Sequence, residues 1–184
     1  MDIATFTLDT NCIIALENGE PNSSALKKLI GAHAAGTANL ACVAISASEK
    51  QKGGLQLTNF QDFQARLDGI GLGKIGILKP KGYWDITFWD WCLLADENDK
   101  SEFEIHNILF PAQQFEAPAA NLANAALLRT WRNRKCDVLA LWTHSNEKRR
   151  YFVTSDKNFL NKMLALRAVG YGSILSPEDA AKLI

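Results

Sequence analysis

The sequence predicts an α/β fold built around a mainly parallel sheet. Short apolar runs of strand character alternate with longer stretches of helical period, most clearly at the two ends of the chain. The runs are apolar throughout rather than alternating, as strands buried on both faces are. Two of them, Phe6-Thr7-Leu8 and Tyr151-Phe152-Val153, lead within a few residues to an aspartate, Asp9 and Asp156. In an open parallel sheet, residues just past the strand ends gather along one rim, where ligands bind.

The elements follow in order. Ile3 to Leu8 reads as a buried strand, and Asp9 is a good N-cap for a helix over Thr10 to Glu17. Asn18-Gly19 stops that helix, with Pro21 beyond it. Asn22-Ser23-Ser24 opens a second helix whose Ala25, Leu26, Leu29, Ile30 and His33 recur at helical spacing until Gly36. Ala38 to Ile45 is the second strand, and Ser46 or Ser48 caps a helix with Glu49 in its first turn. Gly53-Gly54 breaks the pattern. Phe60 to Leu67 is helical, and Lys74 to Leu78 is a short strand after Gly71 and Gly73. Tyr83 to Trp91 is strongly aromatic, with Trp84, Phe88 and Trp91 on one helical face. Asp96 to Glu104 is acidic, and Pro111 and Pro118 frame a loop.

Regularity returns with a helix over Asn121 to Arg134 and a second over Cys136 to Ser145. The strand Tyr151 to Val153, the helix Lys157 to Ala168 and the strand Ser173 to Leu175 follow, and Pro177 suits the first position of a last helix. The 184 residues are expected to form one domain, with its core over 1–52 and 121–184 and a longer middle segment over 53–120.

Charge and composition narrow the partners. Twenty basic residues balance twenty acidic ones, so a nucleic acid would have to be held by a local patch rather than an overall field. Cys12, Cys42, Cys92 and Cys136 are scattered, with no Cys-x-x-Cys pair, and read as reduced core thiols of a cytoplasmic protein. The first residues lack the basic and apolar regions of a signal peptide, and no apolar stretch approaches the roughly 20 residues of a membrane span. No membrane partner is expected.

The carboxylates carry the chemistry. Taken singly, Asp9 and Asp156 are N-caps, Asp137 lies in the first turn of its helix, and Glu49 is a solvated helix residue. Taken together, all four fall on the same rim of a parallel sheet, where their repulsion calls for a cation or a proton. Oxygen donors without paired His or Cys suit Mg²⁺ or Mn²⁺ and argue against zinc.

These residues resemble a known family, the PIN domain of metal-dependent ribonucleases. The resemblance lies in Leu8-Asp9-Thr10-Asn11, in Glu49 after Ile45-Ser46-Ala47-Ser48, in Asp137-Val138-Leu139-Ala140 and in Thr154-Ser155-Asp156-Lys157-Asn158-Phe159. It implies a PIN-like three-layer α/β/α fold. It further implies a Mg²⁺- or Mn²⁺-dependent endoribonuclease whose metal-holding quartet is Asp9, Glu49, Asp137 and Asp156, supported by Asn11 and Thr154. Its products would be 5′-phosphate and 3′-hydroxyl ends. The family includes toxins of toxin–antitoxin pairs, so an antitoxin over the acidic pocket and a homodimer join RNA among the expected partners. The 53–118 segment departs from a compact PIN toxin, which leaves the toxin role and the RNA target open.

Two further features bear on RNA. Arg132, Arg134 and Lys135 precede Asp137, and Arg149 and Arg150 precede the strand leading to Asp156; a basic run is usually a solvated helix end, but here it would also suit a phosphate-tracking rim. The aromatic segment suits packing better than base stacking. His144, two turns beyond Asp137, reads as a helix-end residue outside the site. Two other readings rank below the nuclease. One is a non-catalytic PIN-like scaffold binding RNA or protein. The other is a haloacid-dehalogenase-type phosphatase with Asp9 as nucleophile, which needs a second Asp where the chain has Asn11.

Overall fold

The computed structural model describes residues 3–45, 59–94, 99–119 and 124–184. Within them the chain runs β1 (Ala4–Leu8), α1 (Thr10–Asn18), α2 (Ser23–Ala34), β2 (Ala38–Val43), α3 (Phe60–Gly69) and β3 (Gly76–Leu78). It continues with α4 (Ser101–Leu109), α5 (Ala125–Asn146), β4 (Tyr151–Val153), α6 (Lys157–Ala168), β5 (Ser173–Leu175) and α7 (Pro177–Ala180). Five strands form one sheet in the order β3-β2-β1-β4-β5, and every neighbouring pair is parallel. Among the described residues no helix is long and apolar enough to cross a membrane.

Strand alternation sorts the core into two layers, one on each side of the sheet. Phe6, Leu8, Leu40 and Cys42 point to the side of α1, α2, α3 and α7, where they meet Ile13, Leu26, Leu29, Phe63 and Leu67. Phe152 and Ile174 point to the other side, against α4, α5 and α6, where Ile105, Leu139, Phe159 and Leu166 receive them. The fold is therefore a three-layer α/β/α sandwich. Each fully buried Phe or Leu of these layers stabilises it by roughly 2 kcal/mol. Arg66 of α3 clasps Glu17 of α1 with two bonds of 2.6 and 2.8 Å, fixing the outer helix to the inner one.

The predicted boundaries hold where turn chemistry set them. Gly19 ends α1 at φ +64°, a conformation open to a residue without a Cβ. Pro177 starts α7 behind the Ser176 cap. Three expectations need correction. The two helices foreseen on either side of Lys135 are one, the 22-residue α5. The polar run Arg132-Asn133-Arg134-Lys135 looks like a break, but Lys135 is buried against Glu102 of α4, so the helix continues through it. The aromatic segment 83–91 is not a helix but a sequence of turns, and its side chains divide between core and solvent. The second strand ends at Val43, with Ile45 held instead by an antiparallel bridge to Thr87.

A candidate site at the sheet switch point

The chain fills the sheet from β1 outward to β3 and then returns to the other side of β1 for β4 and β5. The helices that follow β1 and β4 consequently pack on opposite faces, the switch-point arrangement in which parallel α/β sheets place a ligand crevice at the carboxyl ends of the two strands. Asp9 and Thr154 are the residues that emerge there, and the Asp9 N–H donates to the Val153 carbonyl at 2.9 Å.

Asp9 caps α1 and is 6% exposed. Its Oδ1 accepts from the Thr10 N–H at 2.8 Å. Its Oδ2 accepts from the Asn11 amide and the Thr154 hydroxyl, both at 2.7 Å. The same Thr154 oxygen accepts from Asn11 Nδ2 at 2.9 Å and from the Asp156 N–H at 3.0 Å. Asn11 Oδ1 completes the ring by accepting from the Ser155 N–H at 3.1 Å. Asn11 and Thr154 thus tie the first strand end to the fourth and orient Asp9, a buried polar network whose donors are matched to acceptors. Asp156 caps α6, its Oδ1 accepting from the Asn158 N–H at 2.7 Å.

Both aspartates at the strand ends are therefore caps as well as rim acids. Asp137 is not. It is the thirteenth residue of α5, far from the first turn in which the sequence placed it, and the dipole of a helix start does not account for it. Burial is the main reason its carboxyl stands well above the usual carboxylate range, and the charges of Asp9 and Asp156 push it further. Asp9 is raised to about 6, again mainly by burial and further by the Asp156 charge, while its bonds from Thr154 and Thr10 act in the opposite direction. The three acids share one electrostatic neighbourhood. Glu49, the fourth predicted member, lies outside the described residues. Among the described residues no three His, Cys, Asp or Glu side chains stand close enough to grip an ion as they are placed.

The predicted basic set divides. Lys135 is 4% exposed, pairs with Glu102 and lies 4.4 Å from the Tyr83 ring, so it is a structural cation and not an RNA contact. Glu102 also receives Lys81 at 2.8 Å, which leaves this buried acid with two cations. Arg149 donates to the carbonyls of Phe6 and Asn39 at 2.9 and 2.8 Å. The Arg150 N–H donates to Thr5 Oγ1 at 2.8 Å. Both arginines sit at the amino end of β4, the rim opposite Asp9, which removes them from the acidic crevice. Arg132 and Arg134 remain on the Asp137 side, bonded to Asp85 at 3.3 Å and to Gln113 at 3.2 Å.

His144 belongs to the core. It is fully buried, its Nδ1 lies 2.8 Å from Thr7 Oγ1, and burial with the nearby Arg149 charge holds it neutral, down to about 3. Cys12, Cys42 and Cys136 are buried, and Cys92 is half-buried. Sequence reasoning missed the Lys81–Glu102–Lys135 triad, whose members are remote in sequence and unremarkable alone. No family model matches this chain, and no curated protein or solved structure is similar enough to assign it a family.

Proposed function

We propose that this protein is a Mg²⁺- or Mn²⁺-dependent endoribonuclease of the PIN type. The observation that carries the reading is Asp137, an acid in mid-helix with no capping role, sharing the field of Asp9 and Asp156 at the switch point of a parallel sheet. The Asp156 charge raises the proton affinity of Asp9, and both charges raise that of Asp137; a divalent cation drawn among them would offset the repulsion that a proton otherwise relieves. The donors are all oxygens, which suits a hard ion. Asp9, Asp137 and Asp156 would hold it, joined by Glu49 as the sequence resemblance implies. A bound ion of this kind supplies charge neutralisation at a phosphodiester and a more acidic water.

The chain's own residues prepare the site. Asn11 and Thr154 fix Asp9 in one rotamer, so its oxygens need little reorganisation when a cation or substrate arrives. Arg132 and Arg134 lie on the same helix as Asp137 and offer charge to the RNA backbone. Hydrolysis adds water across the phosphorus–O3′ bond, giving the 5′-phosphate and 3′-hydroxyl ends that the PIN resemblance implies.

The test is cleavage of labelled single-stranded RNA in Mg²⁺, Mn²⁺ or EDTA by the wild type, Asp9→Asn and Asp137→Asn. Metal-dependent cutting that both variants lose by at least a hundredfold is the expected result. Wild-type rates in either variant, or cutting that persists in EDTA, refute the assignment.

A further inference from the structure

We propose that Trp84 and Trp89 form a stacking platform for unpaired bases of single-stranded RNA, on the same rim as the aspartates. This inference rests on the nuclease reading for the identity of the strand, but its own observations are separate. The aromatic segment splits cleanly. Phe88 is buried against Phe63, and Trp91 stacks on Phe60 with ring centroids 4.2 Å apart. Trp84 and Trp89 instead meet each other edge to face at 4.5 Å while remaining 71% and 56% exposed.

The pair does not dangle. Ile86 and Thr87 between them are buried, and the Ile86 and Thr87 N–H groups donate to the Tyr83 carbonyl at 3.2 and 3.1 Å. The Thr87 hydroxyl accepts from the Tyr83 N–H at 2.8 Å. The turn that carries the two indoles is thus hydrogen-bonded and anchored by buried neighbours while the rings themselves stand largely in water, the placement of an exposed apolar patch suited to recognition. Thr87 bridges Ile45, just beyond the carboxyl end of β2, and Asp85 contacts Arg132 of α5 at 3.3 Å. Arg132 precedes Asp137 by five residues, about 7.5 Å along the helix axis.

Chemistry favours a nucleotide strand over a protein partner. An edge-to-face indole pair exposes π-faces that accept any base, and Arg132 reaches Asp85, the residue after Trp84, at 3.3 Å, where a phosphate can displace that exposed carboxylate. Phosphate charge and base faces occur together in RNA.

The experiment measures anisotropy of a labelled uridine 12-mer in EDTA, so that binding is read without cleavage. Trp84→Ala is expected to weaken binding about tenfold, within the range for one lost base stack. Trp84→Phe is expected to restore most of it, since a smaller ring still stacks. Unchanged affinity in Trp84→Ala, or no binding of the 12-mer by the wild type at micromolar concentration, overturns the platform. Loss of a dimer in Trp84→Ala by light scattering, with RNA affinity intact, overturns it in favour of a protein interface. The two readings fail separately. A protein that binds through Trp84 but never cuts refutes the nuclease alone, and one that cuts with Trp84→Ala binding unchanged refutes the platform alone.

Discussion

Replacing Asp9 with asparagine should stabilise the metal-free protein, and only above the pH at which the carboxyl ionises. Burial lifts this group from its ordinary 3.8 to about 6. An acid raised on folding binds its proton more tightly in the native state, so the stability it contributes is complete below about pH 4 and is lost as pH rises through about 6. A displacement of this size corresponds to a ceiling of about 3 kcal/mol. Asparagine does not titrate and, like the protonated acid, is neutral; its amide carries two N–H donors and one acceptor oxygen, so the bond lost from Asn11 adds an offset that does not change with pH. The melting temperature of Asp9→Asn should therefore climb relative to the wild type by up to about 6–12 °C between pH 4 and pH 8 for a domain of this size. Scanning calorimetry in EDTA at pH 4, 5, 6, 7 and 8 follows the divergence. Saturating Mn²⁺ should narrow the gap by stabilising the wild type, by about 2.7 kcal/mol at a hundred times its Kd. A difference in melting temperature that does not grow between pH 4 and pH 8 refutes the idea that Asp9 is held as a strained, desolvated anion.

Two further outcomes probe the surroundings of the site. Thr154→Val removes a donor from Asp9 and an acceptor from both Asn11 and Asp156; it should cost about 2–3 kcal/mol in urea unfolding. It should also raise the Asp9 carboxyl above about 6, moving the onset of Mn²⁺ binding to higher pH in calorimetric titrations. Lys135→Gln should destabilise by about 1.5–3 kcal/mol, because Glu102 loses one of its two cations and keeps Lys81, while leaving the salt slope of RNA binding unchanged, whereas Arg132→Gln should leave stability intact and reduce that slope by about one.

The sheet was legible because its strands are short, apolar on both faces and closed by punctuation the backbone obeys. Leu8-Asp9-Thr10 must leave a strand and enter a helix, and Ser176-Pro177 must begin one. The same local logic placed Asp9 and Asp156 on one rim, since a parallel sheet leaves no other location for residues after β1 and β4. It failed where partners are distant. Nothing near Lys135 announces Glu102, so a buried ion pair passed for a helix break, and Asp137 acquired a first-turn explanation that the continuous helix removes. Likewise the side of the sheet on which a basic cluster falls depends on strand direction. Arg149 and Arg150 come before β4 and Asp156 after it, so adjacency in sequence became opposite ends in space. The helical periodicity of Trp84, Phe88 and Trp91 was accidental, because a turn at Asp85 with φ +57° interrupts it.

One consequence of the uninterrupted α5 concerns measurement rather than chemistry. Its sequence from Ala125 to Asn146 holds neither glycine nor proline, so the ladder of backbone bonds between Arg132 and Asp137 has no joint at which to flex. The anchor of the tryptophan turn and the acid of the crevice are two marks on a single rod. If the protein cuts RNA as proposed, a strand gripped at the first mark would meet the second at a set separation, and cuts would fall a constant number of nucleotides from the stacked base, whatever the identity of the bases between. The helix would act as a ruler.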